Sequence, residues 1–314
     1  MKLLALDFGG TFVKHCLMDE NAEITERGEI PAPLESAEKF IQVIKDLYQE
    51  YNGVEGIAIS MPGVIDSDTG HLYSAGAYTQ IMAGRNLFDM LEGIGVPVSV
   101  ENDGKSAILA EAWKGSLQGV SDAAAVIIGS GLGGGIIMDG RLRKGGHFAS
   151  GEISGLLVRP GSYGFDNLAA TGAGMSALLM MVAAAKGMSP AQFEVSGFMA
   201  QGEPDPNLPI YSGRDVFKWI DEGDPVTCAV YAKWLENLAQ VIINLKMTLD
   251  PVKIVLGGGV SRNPRLLADV QAEYDKFLPI MTGFGMPVTE LGICTFSADA
   301  NMVGAVCNWM IHNN

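Results

Sequence analysis

Three short glycine clusters in this chain each follow an apolar stretch that is typical of a buried strand. They are Gly9-Gly10-Thr11, Gly131-Leu132-Gly133-Gly134 and Gly257-Gly258-Gly259. Backbone N–H groups in such turns can converge on phosphate oxygens, because no Cβ holds the anion away. The alternative, that each cluster only makes a tight hairpin, is weaker for three clusters than for one. Asp7 precedes the first cluster and is a candidate to hold Mg²⁺ through water, or else it only orders the turn.

A competing motif overlaps the second cluster, since Gly129, Gly131 and Gly134 satisfy G-x-G-x-x-G. A dinucleotide site needs a helix directly after such a motif to receive the pyrophosphate. Here the chain continues as IIMDG, which is short, β-branched and predicts a strand. The context therefore does not favour a dinucleotide site, and P-loop and protein-kinase motifs are absent from the sequence.

Two acidic residues are candidates for chemistry beyond phosphate binding. Asp103 follows Asn102 at a predicted strand-to-helix junction, where a carboxylate can take the proton from a hydroxyl that attacks a γ-phosphate. The alternative is that Asp103 caps the following helix. Glu152 lies in a turn-rich stretch and can accept hydrogen bonds from two vicinal hydroxyls, or else it is a solvated loop carboxylate. The three glycine clusters favour the catalytic role for Asp103.

The elements that must position these residues follow from hydrophobic periodicity. Strands are expected over 2–8, 12–18, 23–30, 54–60, 96–100, 123–128, 136–140 and 253–256. Helices are expected over 36–51, after Asp103, from Pro225 to about Leu249, from Asn263-Pro264, and over 298–311, with a loop at 201–213. Gly9 and Gly133 are 133 − 9 = 124 residues apart, and a strand, a glycine turn and a strand recur at both places. The spacing predicts one design present twice.

Composition excludes several classes of protein. The chain has 314 residues, a formal net charge of −15 and no basic run, so nucleic-acid binding is not expected. Its four scattered cysteines indicate reduced thiols. No signal peptide and no apolar stretch long enough to cross a membrane is found, which predicts a cytoplasmic protein without membrane contact.

In order along nearly the whole chain, the sequence contains DFGGTFVK, SMPGVID, ENDGKSAILAEAW, GSGLGGGIIMDGRL, GEIS and IVLGGGVSRNP. This set resembles the ROK family (repressors, open reading frames and sugar kinases) of the sugar-kinase/actin/heat-shock ATPase superfamily. The resemblance implies an α/β, two-lobed actin-like ATPase (ribonuclease H-like) fold that is duplicated. It implies an N-terminal lobe of residues 1–116 plus 297–314, a C-terminal lobe of residues 117–296, and a homodimer.

The resemblance also implies a role for each motif, with ATP and Mg²⁺ as cofactors. The nucleotide and phosphate residues would be Asp7, Gly9, Gly10, Thr11, Gly131, Leu132, Gly133 and Gly134, with Gly257, Gly258 and Gly259 on the adenosine side. Asp103 matches the catalytic base. The sugar pocket would be formed by Pro62, Gly63, Asn102, Asp103 and Glu152.

The chain departs from the family pattern after Glu152. Family glucokinases carry a histidine and then a cysteine-rich zinc motif that ends in a sugar-binding glutamate. Here Gly155 stands at the histidine position, and Asn167 stands at the glutamate position as a further candidate sugar ligand. Val158, Pro160 and Phe165 stand at the cysteine positions. We therefore expect no zinc. A zinc-free branch that resembles β-glucoside kinases shows similar losses and a similar SADANMVGAVCNWM segment.

The resulting prediction is an ATP-dependent kinase that acts on the 6-hydroxyl of a β-glucoside or glucose. The small Gly155 and the neutral Asn167 would open space for an aglycone or second sugar, on which Tyr78 and Tyr163 could stack. The alternative is that loops fill this space and glucose is the substrate. N-acetylmannosamine or another hexose is a further alternative. A non-catalytic, sugar-sensing transcriptional regulator is another alternative. Such regulators carry an added N-terminal helix-turn-helix domain, which is not expected before Lys2.

Overall fold

The computed structural model describes residues 1–159, 161, 163–195 and 199–313. Its strands and helices are interspersed along the chain, which confirms the α/β class. In chain order they are β1 (Leu3–Phe8), β2 (Phe12–Met18), β3 (Ile24–Pro31), α1 (Ala37–Glu50), β4 (Gly56–Met61), β5 (Ile65–Asp66), β6 (His71–Leu72), α2 (Thr79–Met82), α3 (Leu87–Met90), β7 (Val98–Asn102), α4 (Asp103–Lys114), β8 (Ala123–Ile128), β9 (Leu132–Met138), β10 (Arg141–Leu142), α5 (Ala169–Ala173), α6 (Met175–Lys186), α7 (Gly213–Asp221), α8 (Pro225–Leu249), β11 (Lys253–Gly257), α9 (Leu266–Asp275), α10 (Leu278–Gly283), β12 (Glu290–Ile293) and α11 (Ala300–Asn313).

The chain divides into two compact units. The first unit contains Met1–Ser121, Gly135–Gly151 and Ala298–Asn314, and the second contains Asp122–Gly134 and Glu152–Ser297. The C-terminal helix α11 is therefore part of the unit that contains the N-terminal strands.

Two five-stranded sheets repeat one strand order. The first runs β3-β2-β1-β4-β7, and the second runs β10-β9-β8-β11-β12. In each sheet the first strand along the chain is central, lies beside the strand that follows its glycine turn, and pairs in parallel with a strand much later in the sequence. The duplication predicted from the glycine-turn spacing is confirmed by this topology.

Helix α1 shows why the first unit folds as its sequence predicts. Phe40, Ile44 and Leu47 recur at helical spacing and are buried against the first sheet. The Ser36 side chain accepts a hydrogen bond from the Lys39 N–H and begins the helix. On the same unit, α11 crosses α4 so closely that a Cβ at Gly304 would lie 1.6 Å from the Ser106 carbonyl oxygen.

Helix α8 organises the second unit. Asp224 caps it, with its side chain accepting from the Thr227 N–H, and Pro225 occupies the first turn, as predicted. Trp234, Leu238 and Ile242 form a fully buried stripe within the core of this unit. The predicted loop over 201–213 is confirmed up to Gly213, where α7 begins.

Candidate functional site

The first glycine turn joins β1 to β2. The Gly9 N–H donates to the Phe12 carbonyl over 3.0 Å, and the Tyr78 hydroxyl donates to the Gly9 carbonyl over 2.6 Å. Gly10 and Thr11 are exposed. The Tyr78 hydroxyl thus holds the turn at Gly9, while Gly10 and Thr11 are accessible to a ligand.

Asp7 lies near the end of β1 and is only 8% exposed. Burial and, to a smaller extent, the nearby Asp103 carboxylate raise the pKa of its carboxyl to about 6. The opposing effect is a hydrogen bond of 3.1 Å from the Asn301 side-chain amide to Asp7 Oδ1, which favours the ionised form. Two carboxylates therefore face the same region of the first unit.

The order of the parallel strands explains why these groups meet. Asp7 pairs with Ser60 across β1 and β4, and Met61 pairs with Asn102 across β4 and β7. Parallel strands bring their carboxyl ends to one edge of a sheet, which is where ligands of open α/β sheets bind. The predicted residues of β1, of the segment after β4 and of β7 are brought together at this edge.

Asn102, and not Asp103, caps helix α4. The Asn102 Oδ1 atom accepts from the Lys105 N–H over 3.0 Å, and its side-chain amide donates to the Gly63 carbonyl over 3.0 Å. The alternative that Asp103 is the cap is therefore wrong, because Asp103 is already the first helical residue. Its Oδ1 accepts from the Gly104 N–H over 2.8 Å, and burial raises the pKa of its carboxyl.

Pro62 and Gly63 form the turn that follows β4. Gly63 has φ of +120°, and a Cβ there would lie 2.2 Å from the Ser74 carbonyl oxygen. Only glycine fits both the conformation and the space. Since Gly63 also accepts from Asn102, this turn is held directly beside Asp103.

Two charged neighbours of Asp103 were missed in the sequence. Glu101 is buried, accepts from the Ser67 hydroxyl over 2.9 Å, and has a pKa raised by burial. Lys105 is 1% exposed and donates from Nζ to the Phe148 carbonyl over 3.0 Å. A lysine two positions after a candidate base was a visible signal. Its burial depends on the distant residue Phe148, which no local pattern reveals.

In the second unit the turn between β8 and β9 comprises residues 129–131, which is shorter than predicted. Leu132, Gly133 and Gly134 belong to β9, so the prediction that they form the turn is wrong. Gly131 remains in the turn. A Cβ at Gly174, which precedes α6, would lie 2.8 Å from the Gly131 Cα. The N-terminus of α6 therefore packs directly on this turn.

The turn after β11 lies beside the turn after β8. Gly257 pairs with Ile127 because β11 runs parallel to β8. Gly258 has φ of +87°, and a Cβ there would lie 2.2 Å from the Ile128 carbonyl oxygen. Gly259 begins the short 3-10 helix that follows. Two of the three predicted glycine turns thus adjoin at one edge of the second sheet.

Glu152 and Asn167 both lie in the second unit. Glu152 is half-buried and precedes a 3-10 turn over Ile153–Gly155. Asn167 is 3% exposed, and its carbonyl accepts from the Val158 N–H over 2.9 Å. Gly155 is exposed, with open space where a Cβ would lie. The sugar-binding roles of Glu152 and Asn167 stay predictions, and Asn167 is the less accessible of the two.

The segment at the family's zinc position is described only in part. Val158 is buried and Phe165 is 74% exposed, whereas Pro160 lies outside the described residues. Within the described ranges, no three His, Cys, Asp or Glu side chains are grouped to hold a metal ion. No helix in the described part of the chain is long and apolar enough to cross a membrane.

The prediction that Tyr78 stacks on a sugar ring is wrong. Tyr78 is 0% exposed and contacts Phe8 and Phe40 edge to face, at ring-centroid distances of 5.8 and 5.1 Å. Its ring belongs to the core because the turn that precedes α2 folds over the first sheet. Tyr163, in the second unit, is 94% exposed.

Comparison with known proteins gives a consistent result. The family model described as "ROK family" matches residues 3–311. The β-glucoside kinase of Listeria innocua is 29% identical, over 100% of this chain and 99% of that protein. The glucokinase of Halalkalibacterium halodurans is 27% identical, over 98% and 94%. A solved ROK family protein from Streptococcus pneumoniae, in complex with sucrose, superposes with a TM-score of 0.84 at 25% identity, over 99% of this chain and 98% of that one.

Proposed function

The chain belongs to the ROK family, and from this membership and the site geometry we propose that it is an ATP-dependent sugar kinase. Its substrate would be a β-glucoside or glucose, phosphorylated at the 6-hydroxyl. The single observation that carries the proposal is that Asn102 and Asp103, at the start of α4, have different roles. Because Asn102 caps the helix, the adjacent Asp103 carboxylate is not used for capping and can act as a base.

The reaction needs one proton acceptor and a set of phosphate ligands. Asp103 would remove the proton from the 6-hydroxyl of the sugar. The hydroxyl oxygen then forms a bond to the γ-phosphorus of ATP, while the bond between the γ-phosphorus and the ADP oxygen breaks. The raised pKa of Asp103 brings it closer to neutral pH, which makes it a stronger base than an exposed aspartate. Gly63 and Asn102 would position the sugar beside it.

The nucleotide would be bound by the glycine turns. In the first unit, Gly9, Gly10 and Thr11 would contact phosphate oxygens. In the second unit, Gly131 and Gly257–Gly259 keep the nucleotide-binding role that the family resemblance implies. Oxygen ligands such as a carboxylate suit Mg²⁺, so Asp7 is fitted to hold this ion, directly or through water. When bound, Mg²⁺ neutralises charge on the transferring phosphoryl group.

Two observations favour a β-glucoside or glucose as the substrate. Two curated relatives act, by name, on a β-glucoside and on glucose, and Gly155 leaves open space in this chain. A non-catalytic sugar sensor would be expected to lose Asp103 or the glycine turns, and the chain keeps them. A homodimer and a cytoplasmic location remain predictions from the sequence.

The test is an ADP-release assay across glucose, N-acetylmannosamine, fructose, cellobiose and gentiobiose, with wild type and Asp103→Asn. General-base catalysis contributes roughly 10²–10⁴-fold, so the variant should lose about that factor in kcat while still binding ATP. The control is Asp89→Asn, since Asp89 is an exposed carboxylate of the same unit. Retention of more than about a tenth of wild-type turnover by Asp103→Asn, against that expectation, would refute the catalytic role.

A further inference from the structure

Tyr73 and Phe148 form an aromatic pair on the surface of the first unit. Their rings are nearly parallel, with a centroid distance of 6.3 Å and an interplanar angle of 22°. Tyr73 is 55% exposed, and Phe148 is half-buried. His71 packs edge to face against Tyr73, with a centroid distance of 4.7 Å. A single exposed aromatic residue needs no explanation, but an ordered group of three is less common.

The backbone of Tyr73 is attached to the turn that forms the proposed sugar pocket. The Tyr73 N–H donates to the Val64 carbonyl over 3.0 Å, and the Val64 N–H donates to the Ser74 hydroxyl over 2.9 Å. The Ser74 carbonyl is the group against which Gly63 packs. Tyr73 is therefore anchored directly beside Gly63, whose carbonyl accepts from Asn102.

Phe148 is attached to the same site through Lys105. Its carbonyl accepts from the buried Lys105 Nζ over 3.0 Å, and the Lys105 N–H donates to the Asn102 side chain. Phe148 also has φ of +59°, a left-handed conformation that is costly for a bulky residue. Such strain persists where the surroundings impose it, and it is concentrated at ligand-binding sites. Here the surroundings include a buried lysine that belongs to the helix of the proposed base.

We propose that Tyr73 and Phe148 form the subsite for the aglycone of a β-glucoside, beside the pocket that holds the phosphorylated glucose unit. The inference rests on the proposed kinase function and names its substrate class: neutral β-glucosides whose aglycone is an aryl group or a second pyranose ring. The face of an aromatic ring is electronegative, so it attracts the C–H groups of a sugar ring or the edge of an aryl group. Anchoring through Gly63 and Asn102 fixes both rings relative to Asp103.

This subsite replaces the one expected from the sequence. Tyr78 is enclosed in the core, while Tyr163 is exposed but lies in the second unit. Tyr73 and Phe148, unlike Tyr163, lie in the same unit as Asp103, and hydrogen bonds link both residues to the Asn102–Asp103 segment. Tyr163→Ala is thus the rival variant in the experiment.

The experiment compares kcat/KM for phenyl β-glucoside and gentiobiose with kcat/KM for glucose, in the full-length protein. In Tyr73→Ala and Phe148→Ala the ratio of β-glucoside to glucose should fall about tenfold, which corresponds to about 1.4 kcal/mol. Tyr73→Phe keeps the ring and should keep the ratio. Phe284→Ala removes another exposed aromatic residue, in the second unit, and serves as the matched control. Calorimetric titration with phenyl β-glucoside, without ATP, measures binding independently of turnover.

The outcomes separate this inference from the kinase assignment. If the wild type phosphorylates glucose but neither binds nor phosphorylates β-glucosides, the subsite is refuted and the kinase stands. An unchanged ratio in Tyr73→Ala, or a ratio that falls only in Tyr163→Ala, also refutes it. If no sugar is phosphorylated but phenyl β-glucoside binds to the wild type and not to Tyr73→Ala, the subsite is supported and the kinase assignment fails. Absence of both turnover and binding refutes both.

Discussion

Replacing Asp7 by asparagine should stabilise the ligand-free protein while it impairs phosphoryl transfer. Asp7 is 8% exposed, and its pKa is raised to about 6 by burial and by the Asp103 carboxylate. A carboxyl whose folded pKa lies above its unfolded pKa contributes most to stability when it is protonated in both states. That contribution is lost as the pH rises through the folded pKa. At neutral pH the ionised Asp7 therefore destabilises the fold.

The size of the effect follows from the pKa difference. A shift from 3.8 to about 6 is about two pK units, and each unit corresponds to about 1.36 kcal/mol. Asp7→Asn, which keeps an oxygen to accept from Asn301, should therefore raise the free energy of unfolding by about 3 kcal/mol at pH 7.5. The gain should shrink to about 2 kcal/mol at pH 5.5, because the wild-type carboxyl is then partly protonated.

The assay is urea unfolding followed by tryptophan fluorescence at the two pH values, without nucleotide or Mg²⁺. The control is Asp89→Asn, an exposed carboxylate whose replacement should change the stability by less than about 0.5 kcal/mol. Loss of turnover together with a gain in stability is the pattern of a residue kept for function. A less stable Asp7→Asn protein at pH 7.5, or a gain that does not depend on pH, would refute the reasoning.

Three further predictions concern the second unit and the metal ions. Gly258→Ala should lower the free energy of unfolding by about 2 kcal/mol or more, because its φ of +87° and the Ile128 carbonyl leave no place for a Cβ. Gly259→Ala, with open space at its Cβ, is the control, and equal melting temperatures for the two variants would contradict this. Phosphorylation should require Mg²⁺, so full activity in excess EDTA would exclude the metal role given to Asp7. Metal analysis of the purified protein should find no stoichiometric zinc, and about one zinc per chain would overturn that expectation.

Hydrophobic periodicity predicted most of the elements because burial of one face is a local property of the sequence. Helix α8 was predicted from Asp224-Pro225 and its apolar stripe, and the structure places it at Pro225–Leu249. Glycine misled the prediction at β9, where Leu132, Gly133 and Gly134 were predicted to form a turn. A Cβ at Gly135 would lie 2.4 Å from the Ile108 side chain, so this glycine serves the packing of α4 against a strand. Glycine in a strand and glycine in a turn look alike when the neighbouring helix is unknown.

The sequence predicted which residues form the candidate site better than it predicted the role of each residue. Asn102 and Asp103 are adjacent and both are good caps, so only the hydrogen bond from the Lys105 N–H shows which one is the cap. Asn301 is 294 residues from Asp7 along the chain, and their hydrogen bond had no local signal. Tyr78 is an aromatic residue near a predicted pocket, yet its ring is buried in the core of the first unit. Roles that depend on distant partners could not be assigned from sequence alone.

The electrostatics of the first unit favour a cation near Asp7. Asp7 and Asp103 are desolvated, each has a raised pKa, and the Asp103 charge raises the pKa of Asp7. Neighbours that include the Asn301 amide and the Lys105 side chain offset part of this repulsion. A divalent cation near Asp7 would supply the missing positive charge and lower the pKa of both carboxyls. The lower pKa would favour the ionised form of Asp103, which is the form that accepts the hydroxyl proton, in the presence of the metal–nucleotide complex.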